Sequence, residues 1–279
     1  MSEYTRAGKT LERLIETVIL GIIQGLTKWL PISSTGHLRL FENLLNFEVP
    51  ILYDVILHVG TLVVILVYFR RDIAEMLSSF VRRDSETKYG RAASLIFVAV
   101  GPTALIGYVF GGLIEDTFQT FLSIGVAFLC LGTVLYASKR GKEKSDTMSY
   151  STALMIGLAQ GIAIIPGISR SGATISIALL LGVEQKEAFK FSFLISIPAI
   201  LGALAYTILK ESGKLIATGL GWAEILTGTF IAMIVGYFAL QLLWRTLTRR
   251  KLHLFSFYCW SLGMFLVLID TFQPLWPSG

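Results

Sequence analysis

The apolar positions of this chain run in long blocks, not in the alternations or narrow stripes of a soluble fold. Uninterrupted apolar stretches occupy 51–69, 92–112, 119–137, 189–209, 220–243 and 253–270. A helix needs about 20 residues to cross ~30 Å of hydrocarbon, so the pattern predicts six full transmembrane helices. Two further apolar segments, 14–47 and 152–182, are interrupted by Pro31, Gly36, Pro166, Gly167 and Gly172. Broken backbone at membrane depth is tolerated where it is buried in protein or lines a cavity, and both segments read as re-entrant helical hairpins.

The hairpins are copies of one another. The stretch from Gly21 to Gly36, GIIQGLTKWLPISSTG, aligns without a gap on Gly157 to Gly172, GLAQGIAIIPGISRSG. The chain is therefore a duplication, with a first repeat over 14–137 and a second over 152–270, each a hairpin followed by three spans.

Loop charge sets the orientation. Basic residues gather in three connections: Arg70, Arg71, Arg82, Arg83, Lys88 and Arg91; Lys139, Arg140, Lys142 and Lys144; and Arg245, Arg249, Arg250 and Lys251. The positive-inside rule places these in the cytoplasm. Glu115-Asp116, Lys210-Glu211 to Lys214 and the end beyond Asp270 then lie outside. Threaded through this topology, the first hairpin enters from outside and the second from the cytoplasm. The expected fold is an all-α integral membrane protein with an inverted-topology repeat, its hairpin tips meeting near the midplane.

Composition agrees: 54% of residues are hydrophobic and only 15% charged, far from the usual soluble balance. The net charge of +5 comes from residues beside the spans, so topology explains it and nucleic acid is not an expected partner. A second copy of the chain is compatible with the pattern. The first apolar run lacks a small-residue cleavage site and leads into the repeated motif, so it reads as part of the fold and not as a signal peptide. Cys130 and Cys259 lie in separate spans without metal-ligand spacing and read as packing residues.

The tips carry the chemistry. Ser33, Ser34, Thr35, Gly36 and His37 form one, and Ser169, Arg170, Ser171, Gly172 and Thr174 the other. Hydroxyls, an imidazole, a guanidinium fork and glycines that expose backbone N–H groups suit an oxyanion such as phosphate. Serine and threonine in membrane helices also bond to their own backbone, and glycine and proline also serve only to break helices. Arg170 is harder to explain away: a mid-segment arginine costs on the order of 2.5 kcal/mol or more. His37 is a candidate nucleophile or general acid or base, against the plainer reading of a satisfied interior histidine. Lys28 follows Gln24 by one helical turn on the same face. It either snorkels to the outer interface or adds a second cation to a phosphate site. His58, His253 and Asp54 are weaker candidates.

At these residues the sequence resembles the membrane-embedded undecaprenyl-pyrophosphate phosphatase family associated with bacitracin resistance. The stretches QGLTKWLPISSTGH, from Gln24 to His37, and PGISRSGAT, from Pro166 to Thr174, carry the resemblance, with FSFL from Phe191 following. It implies hydrolysis of a polyprenyl diphosphate to the monophosphate and inorganic phosphate, recycling the lipid carrier of envelope glycan (peptidoglycan) synthesis. It implies an inverted repeat in the plasma membrane with a site open to the outer side. By the same resemblance His37, Ser34 and Arg170 are catalytic, and Gln24, Ser33, Thr35, Ser169, Ser171, Gly172 and Thr174 bind substrate. Lys28 departs from it: the family motif carries a glutamate there, tied to a divalent cation, Mg²⁺ or Ca²⁺. An ammonium removes that ligand and repels the cation, while still able to neutralise phosphate. Two readings follow: a phosphatase, and a catalytically weak carrier or flippase for polyprenyl phosphate.

Overall fold

The computed structural model describes residues 3–45, 51–82, 87–118, 120–143, 148–210 and 221–272. Arg83, Lys144, Glu211 and Lys214, used above for loop charge, lie outside them, as do the ends of 14–47, 119–137 and 220–243. The helices are α1 (Glu3–Trp29), α2 (Ser34–Leu45), α3 (Ile51–Tyr68), α4 (Arg70–Val81), α5 (Lys88–Thr117) and α6 (Phe121–Ala137). They continue with α7 (Tyr150–Ile162), α8 (Arg170–Leu180), α9 (Gln185–Lys210), α10 (Trp222–Thr248) and α11 (Phe255–Phe272). Single 3₁₀ turns at Ser138–Arg140 and Leu252–Leu254 precede α7 and α11. All helices and helical turns of the described residues follow from this apolar, glycine-punctuated sequence; long apolar blocks satisfy their own backbone only as helix.

Five stretches are long and apolar enough to cross a membrane: Lys88–Ile114, Phe121–Arg140, Gln185–Lys210, Trp222–Thr248 and Leu252–Phe272. They coincide with five of the six expected spans. The remaining one, 51–69, is α3, and the chain bends by 77° into α4 directly after it. Residues 70–81, read from charge as a connection, are thus a helix. Ile73, Met76 and Leu77 recur at helical spacing among the charges there, and Ile73 and Met76 pack on the core. Lys190 of α9 pairs with Asp72 of α4, and Lys88 Nζ lies 2.8 Å from Glu187 Oε1, tying α4 and α5 to the start of α9.

The interrupted segments form α1 with α2 and α7 with α8. At 13 and 11 residues, α7 and α8 are about 20 and 16 Å long, too short to cross alone. α1 packs along α10 and α7 along α5, while α6 lies against α11 and α3 against α9. The α6–α11 crossing is reciprocal: a Cβ at Gly125 would stand 2.8 Å from Gly263 O, and one at Gly263 would stand 2.8 Å from Gly125 O. Gly21 against Gly228 of α10, and Gly157 against Ala99 of α5, mark the equivalent close crossings of α1 and α7. Small residues are what allow backbones to approach like this.

The core lies directly beneath the tips. Trp29, Ile65, Phe69, Phe128, Leu131, Phe189, Phe193 and Leu243 are buried together, with Trp29 edge-on to Phe193 at 5.6 Å. The outward faces are apolar too: Phe97 is 75% exposed and Tyr108 86%. A contiguous surface of that kind needs lipid against it.

Candidate active site at the paired tips

The first tip begins where α1 stops. Pro31 has no N–H to extend the helix, and Ser33 turns the chain with φ of 62°. Its Oγ accepts from Gly36 N at 3.4 Å and meets Thr35 Oγ1 at 3.3 Å, so Ser33 caps α2. Its carbonyl receives His37 N at 3.3 Å and His37 Nδ1 at 2.7 Å. A carbonyl only accepts, so Nδ1 carries a proton and the neutral ring presents its lone pair at Nε2. That lone pair faces Tyr258 Oη of α11 at 2.6 Å, which donates to it. Tyr258 lies nearly parallel to the imidazole, with 5.7 Å between centroids and 9° between planes, and Phe128 stands edge-on to it at 5.6 Å.

The second tip repeats the cap. Ser169 Oγ accepts from Gly172 N at 3.2 Å and meets Ser171 Oγ at 3.1 Å. Gly167, with φ of 97°, makes the turn before it. The tips touch: Ser169 Oγ donates to Leu30 O at 3.4 Å and Ser171 Oγ to Trp29 O at 3.1 Å. Gly172 rests on Pro31, where a Cβ would stand 3.1 Å from the ring. The hydroxyls of Ser33, Ser169 and Ser171 therefore hold the two tips in shape. Thr174 Oγ1 likewise bonds to Arg170 O at 2.8 Å.

Other side chains are left over for chemistry. Arg170 opens α8, half-buried, and Arg170 and Asp54 are the charged groups that bear on Lys28. Neither Lys28 nor Arg170 has an ion pair or side-chain hydrogen bond among the described residues. Gln24 is fully buried and neither atom of its amide has a partner among the described residues, whereas the amide nitrogen of its counterpart Gln160 donates to Thr103 Oγ1 at 3.2 Å and to Ile195 O at 3.4 Å. Ser34, half-buried beside His37, keeps its hydroxyl uncommitted, and Thr35 is exposed. A fully buried amide without partners, as at Gln24, calls for an explanation, and a bound ligand is one.

Asp54 and His58 stand one turn apart on α3, with His58 Nδ1 3.3 Å from Asp54 Oδ1, and Lys28 and Arg39 also act on Asp54. The acid in an apolar context was visible in the sequence, but its proximity to Lys28 was not. Tyr258 had no signal at all, being one aromatic among many in the last span.

The donors do not suit Mg²⁺ or Ca²⁺. Those ions take six or more oxygens, carboxylates first. Among the described residues no three His, Cys, Asp or Glu are placed to hold a metal ion, and the tips present an ammonium and a guanidinium instead.

Known proteins share this sequence over most of its length. The family model described as bacitracin resistance protein BacA matches residues 17–265. The undecaprenyl-diphosphatase of Carboxydothermus hydrogenoformans is 38% identical over 263 residues, covering 92% of this chain and 97% of the relative. That of Halothermothrix orenii is 39% identical over 261 residues, covering 92% and 98%. That of Methanobrevibacter smithii is 37% identical over 267 residues, covering 90% and 95%. Both repeated tips fall within the matched region, with most of the helices that seat them, and the chain belongs to the bacitracin resistance protein BacA family.

Proposed function

We propose that this chain hydrolyses a polyprenyl diphosphate, undecaprenyl diphosphate in the first instance, to polyprenyl phosphate and inorganic phosphate. It would thereby return the lipid carrier to envelope glycan synthesis. One observation carries the reading: among the described residues neither Lys28 nor Arg170 makes an ion pair, Asp54 acting on Lys28 only through its charge, and both stand in the same site as Ser34 and the oriented imidazole of His37. A diphosphate supplies the missing negative charge, and an arginine fork meets two of its oxygens at once.

The chemistry follows from the same groups. Arg170 and Lys28 draw charge from the terminal phosphoryl group, and Gln24 donates its amide to it. The attacking group, water or Ser34 Oγ, forms a bond to the terminal phosphorus while the bridging P–O bond breaks. The attacking proton goes to His37 Nε2, and the leaving group is a phosphate monoester that departs as an anion without needing a proton. Where Ser34 attacks, a water then displaces Ser34 Oγ from the phosphoserine; the serine oxygen takes its proton back and inorganic phosphate is freed. Charge stabilisation of this kind is the largest contribution available to phosphoryl transfer. No step passes through a divalent cation, because the donors at the tips do not fit one.

The architecture proposed for this reaction is an inverted repeat, 14–137 and 152–270, with re-entrant hairpins in the plasma membrane and a site open to the outer side. Supporting it are the exchanged partnerships of α1 with α10 and α7 with α5, the reciprocal Gly125–Gly263 crossing, and the positive-inside distribution of the basic loops.

Lys28 favours a second reading, a carrier that binds polyprenyl phosphate and hydrolyses poorly, because a cation in place of the family carboxylate strengthens binding without supplying a base. Phosphate release from undecaprenyl diphosphate by the purified protein in lipid nanodiscs, with and without chelator, separates the two. Turnover that survives chelation supports the phosphatase; tight binding of the monophosphate with no release overturns it.

A further inference from the structure

His37 Nε2 is the atom to which the phosphatase reading sends a proton, and it is already occupied. Tyr258 Oη sits 2.6 Å from it, a length at which a phenol O–H and an imidazole lone pair share a strong hydrogen bond. The other ring nitrogen is held by Ser33 O at 2.7 Å. Phe128 closes one edge, so the imidazole has no third direction in which a lone pair is offered. Any proton that reaches Nε2 in this arrangement has to arrive through Tyr258.

We propose that Tyr258 is a further catalytic residue, the relay that carries the proton of the attacking group to His37. As the oxygen of water or Ser34 bonds to phosphorus, its proton passes to Tyr258 Oη while the phenolic proton passes to Nε2. The phenol ends the step with one proton, as it began, and the imidazole becomes imidazolium. Its two N–H groups then donate to Ser33 O and Tyr258 Oη. Both bonds matter, because an imidazolium in a largely apolar surround is costly unless each N–H finds an oxygen.

The placement of Tyr258 suits the task. Tyr258 is 45% exposed on α11 while its hydroxyl meets the imidazole of His37, itself 5% exposed, and in the proposed relay the nucleophile approaches from the exposed side of the phenol. Nothing else in the structure competes for the hydroxyl: its hydrogen bond to His37 is the one it makes among the described residues. α11 is brought against α6 at Gly125 and Gly263, and Cys259 Sγ reaches Pro31 O at 3.7 Å, so the helix carrying Tyr258 is seated on the first tip itself.

The role rests on the phosphatase reading, and the experiment keeps the two apart. Tyr258→Phe retains the ring, its stacking on His37 and its packing, and removes only the hydroxyl. The measurements are kcat and KM for undecaprenyl diphosphate, a proton inventory in mixed light and heavy water, and nitrogen-15 spectra of the histidine rings in nanodiscs. The chain has three histidines, and a His37→Gln sample assigns the signals of interest. In the variant, kcat falls roughly a hundredfold or more at nearly constant KM, as for loss of a general acid–base partner. The inventory, curved in the parent because two protons move together, becomes linear. The Nε2 signal shifts towards that of an unbonded imine nitrogen. A variant with the parent's kcat, or the same curvature in both, overturns the relay while leaving the phosphatase standing. Should Tyr258→Phe not fold, the parent spectrum decides: His37 protonated at Nε2 instead of Nδ1 in its neutral form overturns the relay. A parent that releases no phosphate defeats the phosphatase reading and the relay with it.

Discussion

Ser171 Oγ donates to the backbone carbonyl of Trp29 at 3.1 Å, so a hydroxyl of the second tip closes the last turn of the first tip's helix. Helix ends leave carbonyls without partners, and here the partner comes from 142 residues away in sequence. Ser171→Ala leaves that carbonyl buried and unsatisfied, a loss of about 1–3 kcal/mol. Thermal unfolding in detergent will show Ser171→Ala clearly less stable than the parent. Ser34→Ala, which breaks no protein hydrogen bond, will unfold with the parent and lose turnover instead. Equal stability losses in the two variants would contradict this division of labour between the serines.

The paired glutamines give a second contrast. Gln160 is tied to Thr103 and Ile195, and Gln24 is buried with both amide atoms unpartnered. Gln160→Leu removes the amide's bonds to Thr103 Oγ1 and the Ile195 carbonyl, while Thr103 Oγ1 keeps its bonds to Gly157 O and Ala99 O, and is expected to destabilise by about 0.5–1.5 kcal/mol. Gln24→Leu removes two unsatisfied buried atoms, so the folded protein is as stable as before or more so, while KM for the diphosphate rises. The check is unfolding and steady-state kinetics on both variants; a Gln24→Leu protein that is unstable yet normal in KM would show the amide to be structural.

What the sequence disclosed follows from the range of its signals. The tips were legible because two segments of one chain repeat the same glycine, glutamine and serine spacing, and a gapless alignment over 16 positions needs no tertiary knowledge. Arg170 stood out because a lone cation in an apolar block has a known penalty. By contrast α4 is hidden under the loop charge, since its arginines weigh in the topology and mask the helical spacing of Ile73 and Met76. Tyr258 reaches His37 across 221 residues, and an aromatic in a span looks alike whether it faces lipid or a buried imidazole. Ser33, Ser169, Ser171 and Thr174 have the composition of ligand groups, yet the hydrogen bonds they make are to backbone and to each other, which composition cannot distinguish.

Gly36 tests how tightly the His37 ring is held. A Cβ there would stand 2.6 Å from Phe128 Cε2 and 3.3 Å from Gly167 Cα. Phe128 is fully buried and edge-on to His37, so a methyl group displaces the ring that supports the imidazole. Gly36→Ala should cost about 1–3 kcal/mol by overpacking and lower kcat more than it raises KM. Adding Phe128→Leu makes room for the methyl, and the double variant should recover stability relative to Gly36→Ala alone. A double variant whose losses simply add would place the strain elsewhere.

Arg170 separates charge from geometry. Arg170→Lys keeps a cation and loses the planar fork; Arg170→Ala loses both. With charge-assisted bonds worth about 1.5–3 kcal/mol, Arg170→Ala should weaken diphosphate binding roughly tenfold to a hundredfold, with Arg170→Lys between it and the parent. Titration of inorganic pyrophosphate against substrate turnover, at fixed ionic strength, reads this directly. An Arg170→Ala protein with unaltered affinity would leave Lys28 as the phosphate cation and remove Arg170 from the site.

Lys28 decides what kind of phosphatase this is. In a site meant for a divalent cation, an ammonium at this position would repel the metal, and Asp54 is the carboxylate that acts on it in return. Its positive charge is then available to the substrate, standing where a cation would otherwise bridge phosphate oxygens. Turnover by the parent should therefore be indifferent to chelators. Lys28→Met, which keeps the length and removes the charge, should raise KM roughly tenfold or more, since one charge-assisted contact is lost. Lys28→Glu places a second carboxylate near the tips beside that of Asp54, and its turnover should become dependent on added Mg²⁺ or Ca²⁺. Both variants can be followed by phosphate release across a metal titration. Parent activity abolished by chelation would return the metal to the mechanism, and a Lys28→Met protein with unchanged KM would confine Lys28 to the snorkelling role at the outer interface.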